Sequence, residues 1–350
     1  MDVLELLQTP LAERIGLVLV HSLWQGALVA LALAAALRLL RQARHRYLAA
    51  CAAMGLVLVL PLATFSLISE VTYRNVGAVL ATTARSLASS WTLPGQEASL
   101  LSGTEWLNLL LPWAVGVWAV GVAVLSVRLA GGLFATGRLR QGAIPAAAWI
   151  DQRVRELALQ LGVRKRIRAA ITDRIASPVV LGWIKPLVLL PMGALTRLTP
   201  QQLEAILVHE LAHVRRHDYL INLVQRIAET LLFYHPAVWW IGRRMREERE
   251  YCCDDIAITT CGNVRLYAHA LVSLQMSAQS YPLAMAATGD PLLGRISRLM
   301  QRPGDGPSPS VRTSASGTFL IVACVLAVAM RSVVFPAAEA RAHSSHTLGQ

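Results

Sequence analysis

Four long runs of apolar residues dominate the pattern of hydrophobic and polar positions along the chain. They cover residues 15–37, 47–68, 106–127 and 317–335, and the last reaches its full length only if Arg331 is included. The first three approach or exceed the ~20 residues with which an α-helix crosses a bilayer. The fourth is marginal, and a buried core helix is the alternative there. The pattern predicts a mostly α-helical membrane protein with about four transmembrane helices.

The polar region between the third and fourth runs contains shorter elements. Residues 152–161 are amphipathic at helical spacing and predict a helix. Residues 179–190 are rich in Val, Leu and Ile and are interrupted at Gly182, which favours a β-hairpin or paired short strands. Residues 219–240 are apolar enough for a core helix or for one that dips into the bilayer interface. Helices and strands together predict an α+β domain here.

The arginine distribution predicts the orientation in the membrane. Four arginines (38, 41, 44 and 46) fill the short loop between the first two runs, and basic residues in short loops mark the cytoplasmic side. We therefore expect a multi-pass protein of the inner (plasma) membrane. Its predicted parts are a three-span region (1–127) with an external loop (69–105), a cytoplasmic domain (128–301), a flexible Pro/Gly/Ser-rich linker (302–316), a last span (317–335) and a short external tail (336–350).

Composition and charge agree with a membrane protein and narrow the partners. The chain is 55% hydrophobic and only 15% charged. Its net charge of +12 is expected if the basic residues lie in cytoplasmic loops, where anionic head groups attract them. Membrane lipids are therefore expected partners. Direct nucleic-acid binding is not expected, because the basic residues are scattered and no recognition motif accompanies them. The five cysteines form no disulfide framework, since two lie in predicted spans and three in the cytoplasmic part.

The pentapeptide His-Glu-Leu-Ala-His at residues 209–213 carries the most specific chemistry. Residues 199–202 begin a helix of the capping-box type, and apolar residues follow at helical spacing. On this helix His209 and His213 lie one turn apart and can hold one zinc ion. Glu210 falls inside the apolar face, where it can accept a proton from the attacking water. Two satisfied core histidines beside a chance glutamate are the alternative.

A catalytic zinc needs a third protein ligand. His217 stands eight residues from His209, about 12 Å along a helix axis, which is too far for one ion. Glu250 and Asp254 share a face one turn apart, where their charges repel each other unless a cation intervenes. Glu250 as a ligand and Asp254 as an acceptor for a ligating imidazole would relieve that repulsion. Spacing leaves open a charged helix surface with ordinary i,i+4 ion pairs, Arg243–Glu247 and Arg246–Glu250.

Several motifs in a fixed order carry a family resemblance. His-Glu-x-x-His is followed some forty residues later by Glu-x-x-Cys-Asp, and the stretches 177–191 and 234–239 agree as well. Over roughly residues 105–275 the chain resembles the membrane-embedded zinc metallopeptidases of the BlaR/MecR antirepressor type. The resemblance implies a zincin-like (gluzincin) α+β metalloprotease domain whose strand edge holds substrate backbone. It also implies zinc as cofactor, with His209, His213 and Glu250 as ligands and Glu210 as general base.

Two features qualify the resemblance. The cysteines 252, 253 and 261 are then not ligands, and the adjacent pair is expected to pack against the helix that bears the site, although a thiolate-rich zinc site is an alternative. β-Lactam-sensing members carry an external penicillin-binding domain with a Ser-x-x-Lys nucleophile after the last span. Here Lys165 and Lys185 are the two lysines, and neither follows a serine at three residues. We expect no penicillin-binding sensor domain and no covalent β-lactam sensing by this chain.

The predicted function is that of a zinc metalloendopeptidase acting on a cytoplasmic protein. By family likeness the substrate is a dimeric winged-helix transcriptional repressor, cleaved in signal-responsive gene regulation. A membrane quality-control protease and a non-catalytic signal transducer are the alternatives, and the intact Glu210 argues against the transducer. The sequence leaves open whether the protein forms a homodimer or binds a separate sensor protein. A stimulus is expected to reach the site through residues 69–105 or a partner, by shifting the spans packed against the protease domain, and self-cleavage is possible in residues 302–316.

Overall fold

The computed structural model describes residues 9–67, 103–278 and 291–301. These residues form a mostly helical protein with one small sheet. The helices are α1 (Pro10–Leu39), α2 (Ala43–Leu67), α3 (Gly103–Gln141), α4 (Ala148–Gln160), α5 (Met192–Arg197), α6 (Pro200–Arg215), α7 (Asp218–Leu231), α8 (Pro236–Cys261), α9 (Val264–Ala278) and α10 (Pro291–Met300). The strands are β1 (Ile144–Pro145), β2 (Arg168–Thr172), β3 (Val179–Leu181) and β4 (Leu187–Pro191).

Three of the described helices are long and apolar enough to cross a membrane: α1, α2 and residues 110–141 of α3. Helices α1, α2 and α3 cover the first three apolar runs apart from residue 68, so that part of the sequence prediction is confirmed. Helix α3 continues past the end of its run at Val127 to Gln141. The predicted last span, the linker, the tail and most of the predicted external loop lie outside the described residues.

Helices α1 and α2 form a membrane hairpin that packs on the rest of the protein. Inside the hairpin, the side-chain amide of Gln25 donates a hydrogen bond of 2.9 Å to the Thr64 hydroxyl. Its apolar face shares one core with α7 and α8, which include Ala228, Val238 and Ile241. The hairpin therefore rests directly on α8, the helix that carries Glu250.

The sheet has the strand order β1-β2-β4-β3, in which β2 and β4 are parallel and the other pairs are antiparallel. The β3–β4 pair confirms the predicted hairpin. Its turn begins at Gly182, whose φ of 87° is readily adopted only by a residue without a Cβ. A Cβ at that position would also lie 2.8 Å from Nη1 of Arg140. Strand β3 is an edge strand of the sheet.

One prediction about the helices is wrong. Residues 219–240 do not form a single helix, because α7 ends at Leu231 and α8 begins at Pro236. A proline has no backbone N–H to donate and is well placed at the first turn of a new helix. The preceding His235 caps α8 by accepting from the N–H of Ala237 and donates from Nε2 to the carbonyl of Ser22 on α1 at 3.0 Å. The break thus ties the α7–α8 corner to the membrane hairpin.

Candidate metal centre

Helix α6 carries the His-Glu-Leu-Ala-His motif, and it begins as the sequence predicts. The Thr199 hydroxyl accepts from the N–H of Gln202 at 3.3 Å, and Oε1 of Gln202 accepts from the N–H of Thr199 at 3.0 Å. The apolar face of α6 packs in the domain core against α4, the sheet and α9. His209 and Glu210 are therefore buried, at 5% and 9% exposure.

Three donor atoms from α6 and α8 converge. The Nε2 atoms of His209 and His213 lie 3.3 Å apart. The Glu250 carboxylate lies 3.5 Å from Nε2 of His209 and 3.9 Å from Nε2 of His213. A tetrahedral zinc ion with bonds of ~2.0–2.1 Å separates neighbouring ligand atoms by about 3.3 Å. The spacing of the three predicted ligands therefore fits a zinc ion.

Hydrogen bonds at the Nδ1 atoms of His209 and His213 leave both Nε2 atoms available. Nδ1 of His213 lies 2.8 Å from the Asp218 carboxylate, which can only accept, so Nδ1 carries the proton. Nδ1 of His209 lies 2.8 Å from the Tyr267 hydroxyl, which itself donates to Asp254 at 2.6 Å, so this Nδ1 also donates. In its neutral form each imidazole then presents the Nε2 lone pair toward the shared point, as in metal-ligating histidines.

Asp254 lies beside His209, as predicted, but it acts mainly through another residue. Its Oδ1 is 3.4 Å from Nδ1 of His209, whereas the Tyr267 hydroxyl contacts both groups more closely. Arg295 of α10 holds the same buried carboxylate with two hydrogen bonds, of 3.0 and 2.5 Å. Arg295 also lies 3.6 Å from the carboxylate of Glu250. Asp254 is thus the centre of a small polar network behind the donor group.

The sequence reasoning missed three residues that surround the donor group: Asp218, Tyr267 and Arg295. Asp218 follows His213 by five residues, outside the i,i+4 spacing that relates His209 to His213. Tyr267 and Arg295 belong to α9 and α10 and have no motif around them. A tyrosine or an arginine in an amphipathic helix gives no local signal that it lies beside the donor group.

The charges of the site set the pKa values of its members. Burial lowers the pKa of His209, but Asp254 and Glu250 outweigh it and raise that pKa to about 9. Burial raises the pKa of Glu250, but His209, His213 and Arg295 together bring it below its ordinary value. Burial raises the pKa of Asp254, but hydrogen bonds with His209 and Arg295 outweigh burial and lower that pKa to about 2. The carboxylates of Glu250 and Asp254 are therefore ionised, and their negative charge would attract a divalent cation to the donor group.

A cleft of about 290 Å³ opens at the donor group. Glu210, His213 and Glu250 line it on one side, and Val179 and Val180 of the edge strand β3 line it on another. Burial raises the pKa of Glu210, while the two histidines lower it. The cleft therefore combines a carboxylate with raised basicity, a group of donors whose spacing fits a metal ion and a strand edge along which an extended peptide can pair.

The structure separates His217 from the donor group. His217 has φ 59° and forms the bend between α6 and α7, and its ring contacts the carbonyl of Val214 at 3.2 Å. It lines the cleft but does not belong to either group of clustered donors among the described residues. That His217 is not a ligand remains a prediction.

A second donor group contains Cys253 with His213 and Asp218. Burial raises the pKa of the Cys253 thiol well above its ordinary value, whereas zinc binds the thiolate. That group would also use Nδ1 of His213, which already donates to Asp218. The group with Glu250 fits zinc better. Cys253 contacts the motif helix through His213, while Cys252 packs instead against Ala43 and Tyr47 of α2.

The i,i+4 ion pairs that the spacing of α8 left open, Arg243–Glu247 and Arg246–Glu250, are replaced by other pairs in the structure. Arg246 reaches across to Glu229 of α7 at 2.7 Å. Glu247 pairs with Arg244 at 2.7 Å. Glu250 faces the histidines instead, with a side chain 29% exposed at the cleft.

Several known proteins are similar to this chain in sequence. The profile of the BlaR1 peptidase M56 family matches residues 11–302. The regulatory protein BlaR1 of Bacillus licheniformis is 30% identical over 86 residues, which are 25% of this chain and 14% of that protein. The methicillin resistance mecR1 protein of Staphylococcus aureus is 28% identical over 91 residues, 26% of this chain and 16% of that protein.

A second group of relatives is named for protease activity. The protease HtpX of Alcanivorax borkumensis is 28% identical over 96 residues, 27% of this chain and 32% of that protein. The chain thus spans about a third or less of the length of these curated relatives. The family match extends over most of the chain and confirms the resemblance predicted from the motifs.

Proposed function

We propose that this chain, which belongs to the BlaR1 peptidase M56 family, is a zinc metalloendopeptidase that cleaves a cytoplasmic protein at the membrane surface. The convergence of His209, His213 and Glu250 carries the proposal, because both imidazoles are held in the tautomer that a metal requires. When bound there, zinc supplies Lewis-acid activation of a water and of the scissile carbonyl. The zincin-like (gluzincin) classification of the domain is part of the proposal.

The residues of the chain then have separate roles. Glu210, buried in the cleft beside the histidines, accepts the proton of the attacking water and passes it to the leaving amine. Asp218 and Tyr267 hold the two imidazole rings in place. The edge strand β3 pairs with the substrate backbone and places it over the donor group.

In the proposed orientation, the domain formed by residues 128–301 lies in the cytoplasm. The arginine-rich end of the α1–α2 hairpin supports this, because Arg46 forms an ion pair with Glu248 of α8 at 2.6 Å. A loop in contact with the domain lies on the same side of the bilayer as the domain. By the charge rule that side is the cytoplasm, in the inner membrane of the cell.

The proposed substrate is a transcriptional repressor of the winged-helix type. The likeness to a regulatory protein and to a methicillin resistance protein supports this choice. The likeness to HtpX proteases favours a second candidate, a membrane protease with broader substrates. Co-expression separates the two candidates. Cleavage of a repressor encoded beside this chain supports the first, and degradation of misfolded membrane proteins while the repressor stays whole supports the second.

Metal analysis of the purified full-length protein tests the site. We expect about one zinc per chain, and a sharp loss of zinc in His213→Ala and Glu250→Gln, since each removes one of three ligands. Glu247→Gln is the matched control for Glu250, because Glu247 lies on the same helix and pairs with the surface Arg244. Cys253→Ser tests the alternative group. Zinc lost in Cys253→Ser and retained in Glu250→Gln would contradict the ligand assignment.

A further inference from the structure

The start of membrane helix α2 reaches the metal centre through a chain of hydrogen bonds. Tyr47 is buried at 4% exposure, and its hydroxyl donates to Oδ1 of Asp218 at 3.2 Å. The other oxygen of that carboxylate, Oδ2, accepts from Nδ1 of His213 at 2.8 Å. One carboxylate therefore joins a membrane helix to a metal-binding imidazole.

The surroundings leave this carboxylate little freedom. Arg216 stacks on the ring of Tyr47 at 4.4 Å and lies 3.5 Å from Oδ1 of Asp218. On the other side, Sγ of Cys253 lies 3.6 Å from Oδ2. Asp218 is itself 4% exposed, so little solvent reaches it to replace a lost partner. The position of Asp218, and with it the ring plane of His213, depends on these neighbours.

A neighbouring residue fixes the same hairpin to the other ligand-bearing helix. Nε and Nη2 of Arg46 both lie 2.6 Å from Oε1 of Glu248, which is 1% exposed and precedes Glu250 by two residues on α8. Arg46 also donates to the carbonyl of Leu37 at the end of α1, at 2.7 Å. The hairpin end is thus attached both to α8 and to the corner between α6 and α7.

We propose that Tyr47 is a positioning residue of the metal centre. It orients the Asp218 carboxylate and, through it, the imidazole of His213, so the ligand geometry depends on where the membrane hairpin sits against α7 and α8. A shift of α2 that lengthens the Tyr47–Asp218 hydrogen bond loosens His213 and weakens metal binding. This proposal rests on the proposed metal-binding role of His213 and assigns the membrane hairpin a part in regulating that site.

Tyr47→Phe is the test variant, because it removes only the hydroxyl and keeps the ring that Arg216 covers. Tyr234→Phe is the matched control. The Tyr234 hydroxyl lies 2.7 Å from the Ser22 hydroxyl and also joins the α7–α8 region to the membrane hairpin, but on a path that does not include a ligand. Both variants lose one phenolic hydrogen bond between the same two parts of the molecule.

The readouts are zinc affinity by chelator competition and the visible spectrum of the Co²⁺-substituted full-length protein in detergent. We expect Tyr47→Phe to alter the Co²⁺ spectrum and to weaken zinc binding about three- to tenfold. This is less than the roughly 10- to 100-fold typical when a direct hydrogen-bond partner of a ligand is lost, because Tyr47 acts through Asp218. Tyr234→Phe should leave both unchanged. In an Asp218→Ala background, Tyr47→Phe should have no additional effect, because the carboxylate through which it acts is gone.

Two results would overturn the proposal. If Tyr47→Phe and Tyr234→Phe both match the wild-type protein in affinity and spectrum while His213→Ala loses zinc, the proposed function stands and the positioning role is wrong. If Tyr47→Phe still weakens binding in the Asp218→Ala background, the effect does not pass through Asp218. A wild-type protein that takes up no zinc overturns the proposed function itself, which identifies that failure separately.

Discussion

Glu210→Gln separates metal binding from chemistry, because Gln has nearly the same shape and cannot accept the proton. Glu210 lies in the cleft at 9% exposure and is not one of the three converging donors. A positioned general base contributes about 10²- to 10⁴-fold to the rate, or roughly 3–6 kcal/mol at about 1.4 kcal/mol per tenfold change. We therefore expect cleavage to slow by that factor while the protein keeps about one zinc per chain.

The variant should also remain folded. Burial opposes the charged form of Glu210 and raises its pKa, so neutralising it removes an unfavourable interaction. Glu204→Gln is the control on the same helix. Glu204 is 37% exposed and pairs with Arg153 at 2.6 Å, an exposed pair worth roughly 0.2–1 kcal/mol. Its loss should leave the cleavage rate unchanged.

The assay measures initial cleavage rates of the candidate repressor and of casein by the full-length protein in detergent micelles. Zinc content is measured on the same samples by mass spectrometry. A Glu210→Gln rate within about tenfold of wild type, with zinc retained, would refute the general-base assignment, since the smallest expected effect is about 10²-fold. Loss of zinc in this variant would instead make Glu210 a residue needed for metal binding.

Further predictions concern the metal, the topology and the strand edge. Zinc affinity should rise with pH up to about 9 in chelator-competition titrations, because His209, whose pKa is raised to about 9, must lose its proton before it binds the metal. Chelation should abolish cleavage, and one equivalent of zinc should restore it. Reporter fusions should score as external after Ser90 and as cytoplasmic after Arg44 and Leu203. Gly182→Ala should lower the unfolding temperature at a cost of about 1–2 kcal/mol, because φ is 87° there, while Gly137→Ala on α3 should not.

Much of the donor group could be predicted because helices repeat at a fixed spacing. His209 and His213 face one way for the same reason that Glu250 and Asp254 do: each pair is separated by four residues on one helix. The burial of Glu210 also follows from the apolar residues around it at helical spacing. Their catalytic and ligand roles stay predictions that the metal and rate measurements will test.

The residues that hold the donors in place could not be predicted in the same way. Asp218 reaches His213 only because the chain bends at His217, with φ 59°. Tyr267 and Arg295 belong to α9 and α10. These helices follow the Glu-x-x-Cys-Asp motif along the chain and bring both side chains back to the donor group by packing. Such contacts have no sequence period, since their partners are far apart along the chain.

The sequence by itself determined the local properties: three helices apolar enough to cross a bilayer, the capped motif helix, the β3–β4 hairpin and the spacing within each motif. Only the tertiary structure decided that residues 219–240 break at Pro236, that α8 lies against α6, and that Tyr47 of a membrane helix bonds to Asp218. The reason is physical. Helical period and caps depend on neighbouring residues, whereas the meeting of distant side chains depends on how whole helices bury their apolar faces against one another.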